Sequence, residues 1–204
     1  MNNILFLADN PVMDDSLLWD QFLAGNDDAY TLIYKRYSDK LFAFGLHFSP
    51  DRELVKDCIQ DVFVKIFANR KRLKPTDNIL LYLYIALKNR FYNLFQKENE
   101  RYYIDTIEPV FTVEYSVEDE YIEREDEKET KSKIKYILEL MTPRQKEVMY
   151  YRYVEGMDMK AICEITKMNY QSVQNLIQRA IRRVREVYEK KGGNGVSIQL
   201  KTNS

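Results

Sequence analysis

The sequence predicts an all-α chain: two small helical domains joined by an acidic linker, the C-terminal one a helix-turn-helix. Three observations carry that reading. Only six Gly and five Pro occur in 204 residues, too few for a strand-and-turn architecture, which needs them at its hairpins. Apolar residues recur at spacings of three and four over most of the chain, the mark of helices with one buried face. Residues 105–131 then hold eleven acidic and three basic residues with little periodicity, too long and too charged for a connection inside one compact domain.

The elements follow in order. Leu17, Leu18 and Phe22 are expected on the apolar side of a first helix. Tyr30, Ile33, Tyr34, Tyr37, Leu41, Phe44 and Leu46 are expected on a second. The next helix runs from about Asp51, with Leu54, Cys58, Ile59, Val62, Phe63, Ile66 and Phe67 inward. Its expected N-cap is Ser49, with Pro50 as first helical residue, the arrangement favoured at helix starts. A loop over Asn69–Asn78, rich in Lys and Arg and interrupted by Pro75, leads to a strongly apolar helix from Ile79 to about Phe95. Beyond the acidic segment, Ile134, Ile137, Leu138 and Met141 lie at i, i+3, i+4 and i+7. Thr142-Pro143-Arg144-Gln145 reads as a capping box with Pro at the first helical position. That helix closes near Gly156 through a left-handed residue. Asp158 caps the next, with Met159, Ile162, Cys163 and Ile165 inward. Asn169 caps the last, where Val173, Ile177, Ala180, Ile181, Val184 and Tyr188 form one stripe. Domains are therefore expected at 14–101 and 132–190, with a linker at 102–131 and a flexible tail at 191–204.

Several function classes drop out. No stretch approaches the roughly 18 consecutive apolar residues of a spanning helix, so no membrane insertion is expected, and Ile4 to Ala8 is too short for a signal peptide. Cys58 and Cys163 lie far apart without CxxC spacing, which points to reduced thiols in a cytoplasmic protein. One histidine, His47, and two scattered cysteines cannot assemble the usual zinc ligand sets, and no companion motif makes His47 part of a nucleophile triad. No metal, cofactor or catalytic residue is expected.

Charge carries the first functional signal. The formal net charge of −1 hides a segregation: residues 105–131 carry −8 and residues 132–191 carry +6. The first block is uneven too, with −5 over residues 12–61 and +6 over residues 62–101. Two basic stretches divided by an acidic one suggest two contacts with a polyanion, although solvated faces of ordinary helices would have the same charge. The layout over Asp158 to about Arg185 goes further. A helix, a break at Lys167–Asn169 and a longer second helix is the plan of a helix-turn-helix, whose second helix enters the DNA major groove. Opposite the apolar stripe, that helix presents Ser172, Gln174, Asn175, Gln178, Arg179, Arg182, Arg183 and Arg185. Short amides and hydroxyls near its start can reach base edges, and arginines further along can neutralise phosphates.

Three segments together, DRELVKDCIQDVFVKIFANR (51–70), LLYLYIALKNRFYNLFQKENER (80–101) and LMTPRQKEVMYYRYVEGMDMKAICEITKMNYQSVQNLIQRAIRRVRE (140–186), resemble the extracytoplasmic-function branch of bacterial RNA polymerase sigma factors. The resemblance spans nearly all of 14–190. It implies a transcription initiation factor that brings polymerase core to specific promoters. The alternative is a helix-turn-helix regulator whose N-terminal half senses a ligand or partner. The resemblance further implies that Asp57, Gln60, Asp61, Phe63 and Lys65 grip the clamp of polymerase's largest subunit, with the flap as a second contact. Arg70, Lys71, Tyr82, Lys88, Asn89, Arg90, Tyr92, Asn93 and Lys97 would open and read the −10 element. Tyr84 and Phe91 are further stacking candidates there, and Arg101 a further phosphate partner. Ser172, Gln174, Asn175, Gln178, Arg179, Arg182 and Arg183 would read the −35 duplex. An anti-sigma protein is implied as a partner.

Three positions depart from the family pattern. Lys167 stands where a small turn residue, often Gly, is usual, which implies a less tight turn. Gln174 stands where Lys is frequent, and Tyr82 replaces a common Trp. Extended, the 27 residues of 105–131 span about 90 Å, enough to bridge two DNA contacts about two helical turns, or roughly 70 Å, apart. Their acidity fits either a segment threaded through a nucleic-acid channel or a plain solubilising spacer.

Overall fold

The structure is a computed structural model that describes residues 13–102, 111–112 and 136–190, without the side chains of 98–102 and 187–190. The expected linker, apart from Tyr102, Phe111 and Thr112, and the expected tail lie outside the described residues, as do Ile134 and the side chains of Arg101 and Tyr188. Among the described residues every regular element is a helix. The chain divides into two compact units, the boundary falling between Val110 and Phe111.

The N-terminal unit contains α1 (Asp15–Leu23), α2 (Asp27–Gly45), α3 (Arg52–Asn69), a 3₁₀ turn (Arg70–Arg72) and α4 (Ile79–Tyr102). Helix α2 packs against each of α1, α3 and α4. The core is strongly aromatic: Trp19, Phe22, Phe44, Tyr84 and Phe91 are fully buried. The Phe44 and Tyr84 rings stack at 4.1 Å, and Phe48 stacks on Phe91 at 5.4 Å. Burying one such ring contributes about 1.5–3 kcal/mol, so these residues hold α2 and α4 together. Where α2 crosses α3 there is no room for a side chain: a Cβ on Gly45 would come within 2.5 Å of Val55 Cγ1.

Polar groups fix the register of this bundle. Asp15, in the first turn of α1, accepts the Tyr37 hydroxyl, Arg36 Nη1 at 3.4 Å and the backbone N–H of Ile79 at 3.0 Å. One carboxylate therefore ties α1 to α2 and to the start of α4. Burial, and then the bond to Asp15, pushes the Tyr37 hydroxyl pKa up to about 12, so it stays a donor. Trp19 Nε1 donates to the Lys74 carbonyl at 2.9 Å, which anchors the loop before α4.

Several expectations about this unit are corrected. Helix α3 is capped by Asp51, whose Oδ1 accepts the N–H groups of Glu53 and Leu54 at 3.0 and 3.1 Å. Ser49 Oγ instead accepts the Asp51 N–H at 3.2 Å, and Pro50 lies before the cap. Leu17, Tyr34 and Phe67 are exposed, at 53%, 48% and 40%, whereas Trp19 is in the core. The basic loop is shorter than expected, because Asn69 ends α3 and residues 70–72 form a 3₁₀ turn. Helix α4 runs on to Tyr102 instead of stopping near Phe95.

The C-terminal unit contains α5 (Pro143–Tyr153), α6 (Met159–Thr166) and α7 (Tyr170–Lys190). A helical segment at 136–139 precedes them, and Ile137 and Met141 pack against Ala180, with Leu138, Met149 and Val184 alongside. The capping box of α5 is formed as read: Gln145 N–H donates to Thr142 Oγ1 at 3.3 Å and Thr142 N–H to Gln145 Oε1 at 3.0 Å. Asp158 accepts from Ala161 N–H at 2.7 Å, and Asn169 from Ser172 N–H at 2.8 Å. Gly156 adopts φ +65°, three residues after α5 ends.

The turn between α6 and α7 is tight, contrary to the expectation drawn from Lys167. That residue adopts φ 56°, ψ 29°, and it is the one non-glycine with positive φ among the described residues. The next N–H, of Met168, reaches back to the Cys163 carbonyl at 3.2 Å, closing a Schellman-type end. The fold imposes the left-handed turn despite the lysine. Lys167→Gly is therefore expected to raise stability by about 1 kcal/mol, read as a higher melting temperature.

Candidate polymerase and nucleic-acid interfaces

On α3 the 3.6-residue period separates two faces. Val55, Cys58, Ile59, Val62, Phe63 and Ile66 are buried, while Asp57, Gln60, Val64 and Lys65 are exposed and Asp61 is partly so. Phe63 thus leaves the expected clamp-binding set. It is 2% exposed, with its ring 4.8 Å from Tyr34 and 6.1 Å from Tyr30. Its neighbour Val64 takes the outward place, 57% exposed. The face offered by α3 is then Asp57, Gln60, Asp61, Val64 and Lys65, an apolar centre with a polar rim. Cys58 lies beneath it. Burial outweighs the opposing charge of Arg90 and pushes its thiol up to about 11, so it is a neutral core group.

Between α3 and α4 lies a cleft of about 310 Å³, at the small end of ligand pockets. Lys65 and Asn69 line it from α3, and Tyr82, Asn89, Arg90 and Asn93 from α4, over a floor of Val62 and Ile66. Tyr82 has its ring 5.0 Å from Trp19, and burial raises its pKa, leaving a neutral hydroxyl. The aromatic bulk expected of a Trp at this site is supplied jointly by Tyr82 and Trp19. Arg90 is engaged: Nε and Nη2 both lie 2.7 Å from Asp61 Oδ2. This pair joins the α3 face to the cleft, so Asp61 and Arg90, read as parts of separate sites, are direct neighbours.

The remaining −10 candidates do not line this cleft. Lys88 is 5% exposed, with its ammonium 5.9 Å from the Tyr92 ring centroid; it is withdrawn as a phosphate partner because its stem and head lie inside. Tyr84 and Phe91 are core residues and are withdrawn as stacking surfaces. Arg70 pairs with Asp27 at 3.2 Å and covers the Phe67 ring at 5.0 Å. Lys71 and Lys97 are exposed, and Tyr92 is partly so.

In the C-terminal unit α7 carries the sequence-named residues on one side, opposite buried Val173 and Ala180. Asn175, Gln178, Arg179 and Arg182 line one shared hollow. Asn175 is held from two directions: Oδ1 accepts Gln171 Nε2 at 3.0 Å, and its carbonyl accepts Arg179 Nε at 3.2 Å. Ser172 and Gln174 are partly buried; Arg183 is exposed. Arg182 has only a distant partner in Glu186, 3.9 Å away across exposed side chains, a contact of little energy. Exposed Tyr170 and Gln171 stand in the first turn of the same helix and were not foreseen; their place ahead of Ser172 was the available signal.

Two sequence-family profiles match within these units: Sigma-70 region 2 over residues 33–101 and Sigma-70 region 4 over residues 131–184. The chain belongs to the sigma-70 family. A match to two sigma regions, one in each unit, agrees with the resemblance to the extracytoplasmic-function branch. Among solved structures it is similar to CnrH in complex with the cytosolic domain of CnrY, at 17% identity and a TM-score of 0.55 over 86% of this chain and 97% of that one. It is also similar to the sigma factor RpoE in complex with the anti-sigma factor NepR from Bartonella quintana, at 19% identity and 0.53 over 80% and 96%. At these identities both show the fold. No curated protein matches the chain. The region 2 match places a sigma domain where the alternative reading required a sensing domain, so a promoter-recognising subunit of RNA polymerase is favoured. Promoter DNA and polymerase core are its partners. No described helix is long and apolar enough to cross a membrane.

Proposed function

We propose that this sigma factor divides promoter recognition between its units. The N-terminal unit docks on polymerase through the outer face of α3 and holds the −10 strand at the α3–α4 cleft. The C-terminal unit lays α7 in the major groove of the −35 duplex. The observation that carries the reading is the cleft itself: one aromatic ring, three carboxamides and two cations converge there, the groups that stack on and hydrogen-bond an unpaired base. The protein does no covalent chemistry of its own; strand opening draws on binding energy. It works in the cytoplasm, free of metal and cofactor. By likeness to CnrH and RpoE, an anti-sigma protein restrains it.

Run-off transcription with polymerase core and a promoter library tests this directly. Wild type is expected to select promoters that core alone ignores. Tyr82→Ala is expected to reduce initiation on duplex templates about 5- to 150-fold, the equivalent of 1–3 kcal/mol of base stacking. A template with an unpaired bubble over the −10 element should recover much of that loss. Equal activity of Tyr82→Ala and wild type on duplex would remove the cleft from strand opening.

A further inference from the structure

Asp61 belongs to two sites at once. Its side chain stands on the outer face of α3, 47% exposed, within reach of whatever docks there. The same carboxylate oxygen, Oδ2, accepts both Nε and Nη2 of Arg90 at 2.7 Å. Arg90 comes from α4 and lines the α3–α4 cleft beside Tyr82, Asn89 and Asn93. Its planar fork matches the oxygens of a phosphate, but while Asp61 holds it, that edge is taken and its charge is neutralised. Lys65 also borders both sites, but a cation repels the basic surface that the carboxylates of Asp57 and Asp61 attract.

Building on the reading above, in which α3 docks on polymerase and the cleft holds the −10 strand, we propose that Asp61 is a latch on Arg90. A basic group of the docking surface takes the Asp61 carboxylate, and the freed guanidinium passes to a phosphate of the strand. Asp61 is then a positioning residue that acts on DNA through Arg90. Docking and strand capture strengthen each other, by the same factor in either direction. The pair suits this role because water reaches it. Ion pairs this exposed favour the closed form only about 1.4- to 5-fold, so Arg90 is free in about 15–40% of undocked molecules. Complete release raises the apparent affinity for the strand by the inverse of that fraction, about 2- to 6-fold.

The test compares full-length variants for binding of a labelled, mixed-sequence single-stranded DNA 12-mer. Salt is held at about 0.15 M, where charges more than about 8 Å apart are largely screened. Without polymerase, Asp61→Ala is expected to bind about 2- to 6-fold more tightly than wild type. Asp39→Ala removes the same charge from an exposed site on α2 and should bind as wild type does. In an Arg90→Gln background Asp61→Ala should bring no gain, with thermal unfolding showing that each variant is folded. With core added at concentrations that saturate both proteins, and binding by core alone as the baseline, the advantage of Asp61→Ala should vanish, because docking has already drawn the carboxylate away. Tyr82→Ala separates the latch from the reading beneath it. If Tyr82→Ala binds the 12-mer as tightly as wild type, the cleft does not hold the strand and both ideas fall. If Tyr82→Ala binds weakly, the latch alone is overturned by an Asp61→Ala gain that is absent, survives Arg90→Gln or persists on core.

Discussion

Val64→Glu is expected to weaken binding of this protein to polymerase core by at least about 30-fold, the scale of a hot-spot residue at 2 kcal/mol or more. Val64 is 57% exposed at the middle of the outer face of α3, ringed by Asp57, Gln60, Asp61 and Lys65. A carboxylate there would be driven into the desolvated centre of the contact with no cation facing it, and that costs far more than losing two methyl groups. On free protein the same change is nearly neutral, because the site already meets water. The contrast with Phe63 makes the test sharp. Phe63→Ala removes a ring packed on Tyr30 and Tyr34 and should cost about 3–5 kcal/mol of folding stability. The binding loss of Val64→Glu is measured by fluorescence titration against core, with circular dichroism showing unchanged helicity. Wild-type affinity in Val64→Glu would remove the α3 face from the polymerase contact.

That pair also shows what the sequence could tell and where it fell short. Val62, Phe63 and Val64 are three apolar residues in succession, and one helix face cannot take all three. The phase set by Val55, Ile59, Val62 and Ile66 puts Phe63 inside and Val64 outside, so the correct choice was legible but was overridden by the family pattern. Lys88 is similar. It lies four residues after Tyr84 and one after Leu87, on the buried side of α4, and its charge concealed a position that packing had already claimed. Caps were read well where the signal is a side chain three residues from a free N–H, as at Thr142, Asp158 and Asn169. The cap of α3 was misplaced because Pro50 drew the helix start two residues too early, although Asp51 has the same acceptor chemistry.

Other features were not local at all. Trp19 joins the core through the Lys74 carbonyl, 55 positions away, and no window of apolar periodicity reports such a bond. The Asp61–Arg90 pair links two helices whose residues carry separate functional expectations. Lys167 illustrates tertiary override: intrinsic preference disfavours a left-handed lysine, but the packing of α6 and α7 on each other leaves three residues to turn the chain. Phe111 is the extreme case, a buried ring with no periodic neighbours, 5.3 Å from Tyr150 and 5.9 Å from Tyr151, about forty positions on.

Replacing Arg179, Arg182 and Arg183 together by Ala should produce the second large effect, and its salt dependence distinguishes reading from mere charge. If each guanidinium neutralises one phosphate, three lost contacts lower the slope of log affinity against log salt by about 2.7. The gap between wild type and variant then narrows about 40-fold as salt rises from about 50 to 200 mM. Arg179 holds its Nε on the Asn175 carbonyl, and Arg182 has only a weak partner in Glu186, so neither must break a strong bond to reach DNA. Substituting Ser172 or Gln174 at the start of α7 should instead change which −35 sequence is preferred, at about 1–3 kcal/mol per discriminated base, and leave the slope alone. The two outcomes separate because phosphate contacts release counterions whatever the base, whereas a hydrogen bond to a base edge releases none. Affinities measured on −35 duplexes across that salt range decide the matter. A triple variant with the wild-type slope would mean that the basic side of α7 faces solvent in the complex, and the −35 assignment would have to move to another surface of the C-terminal unit.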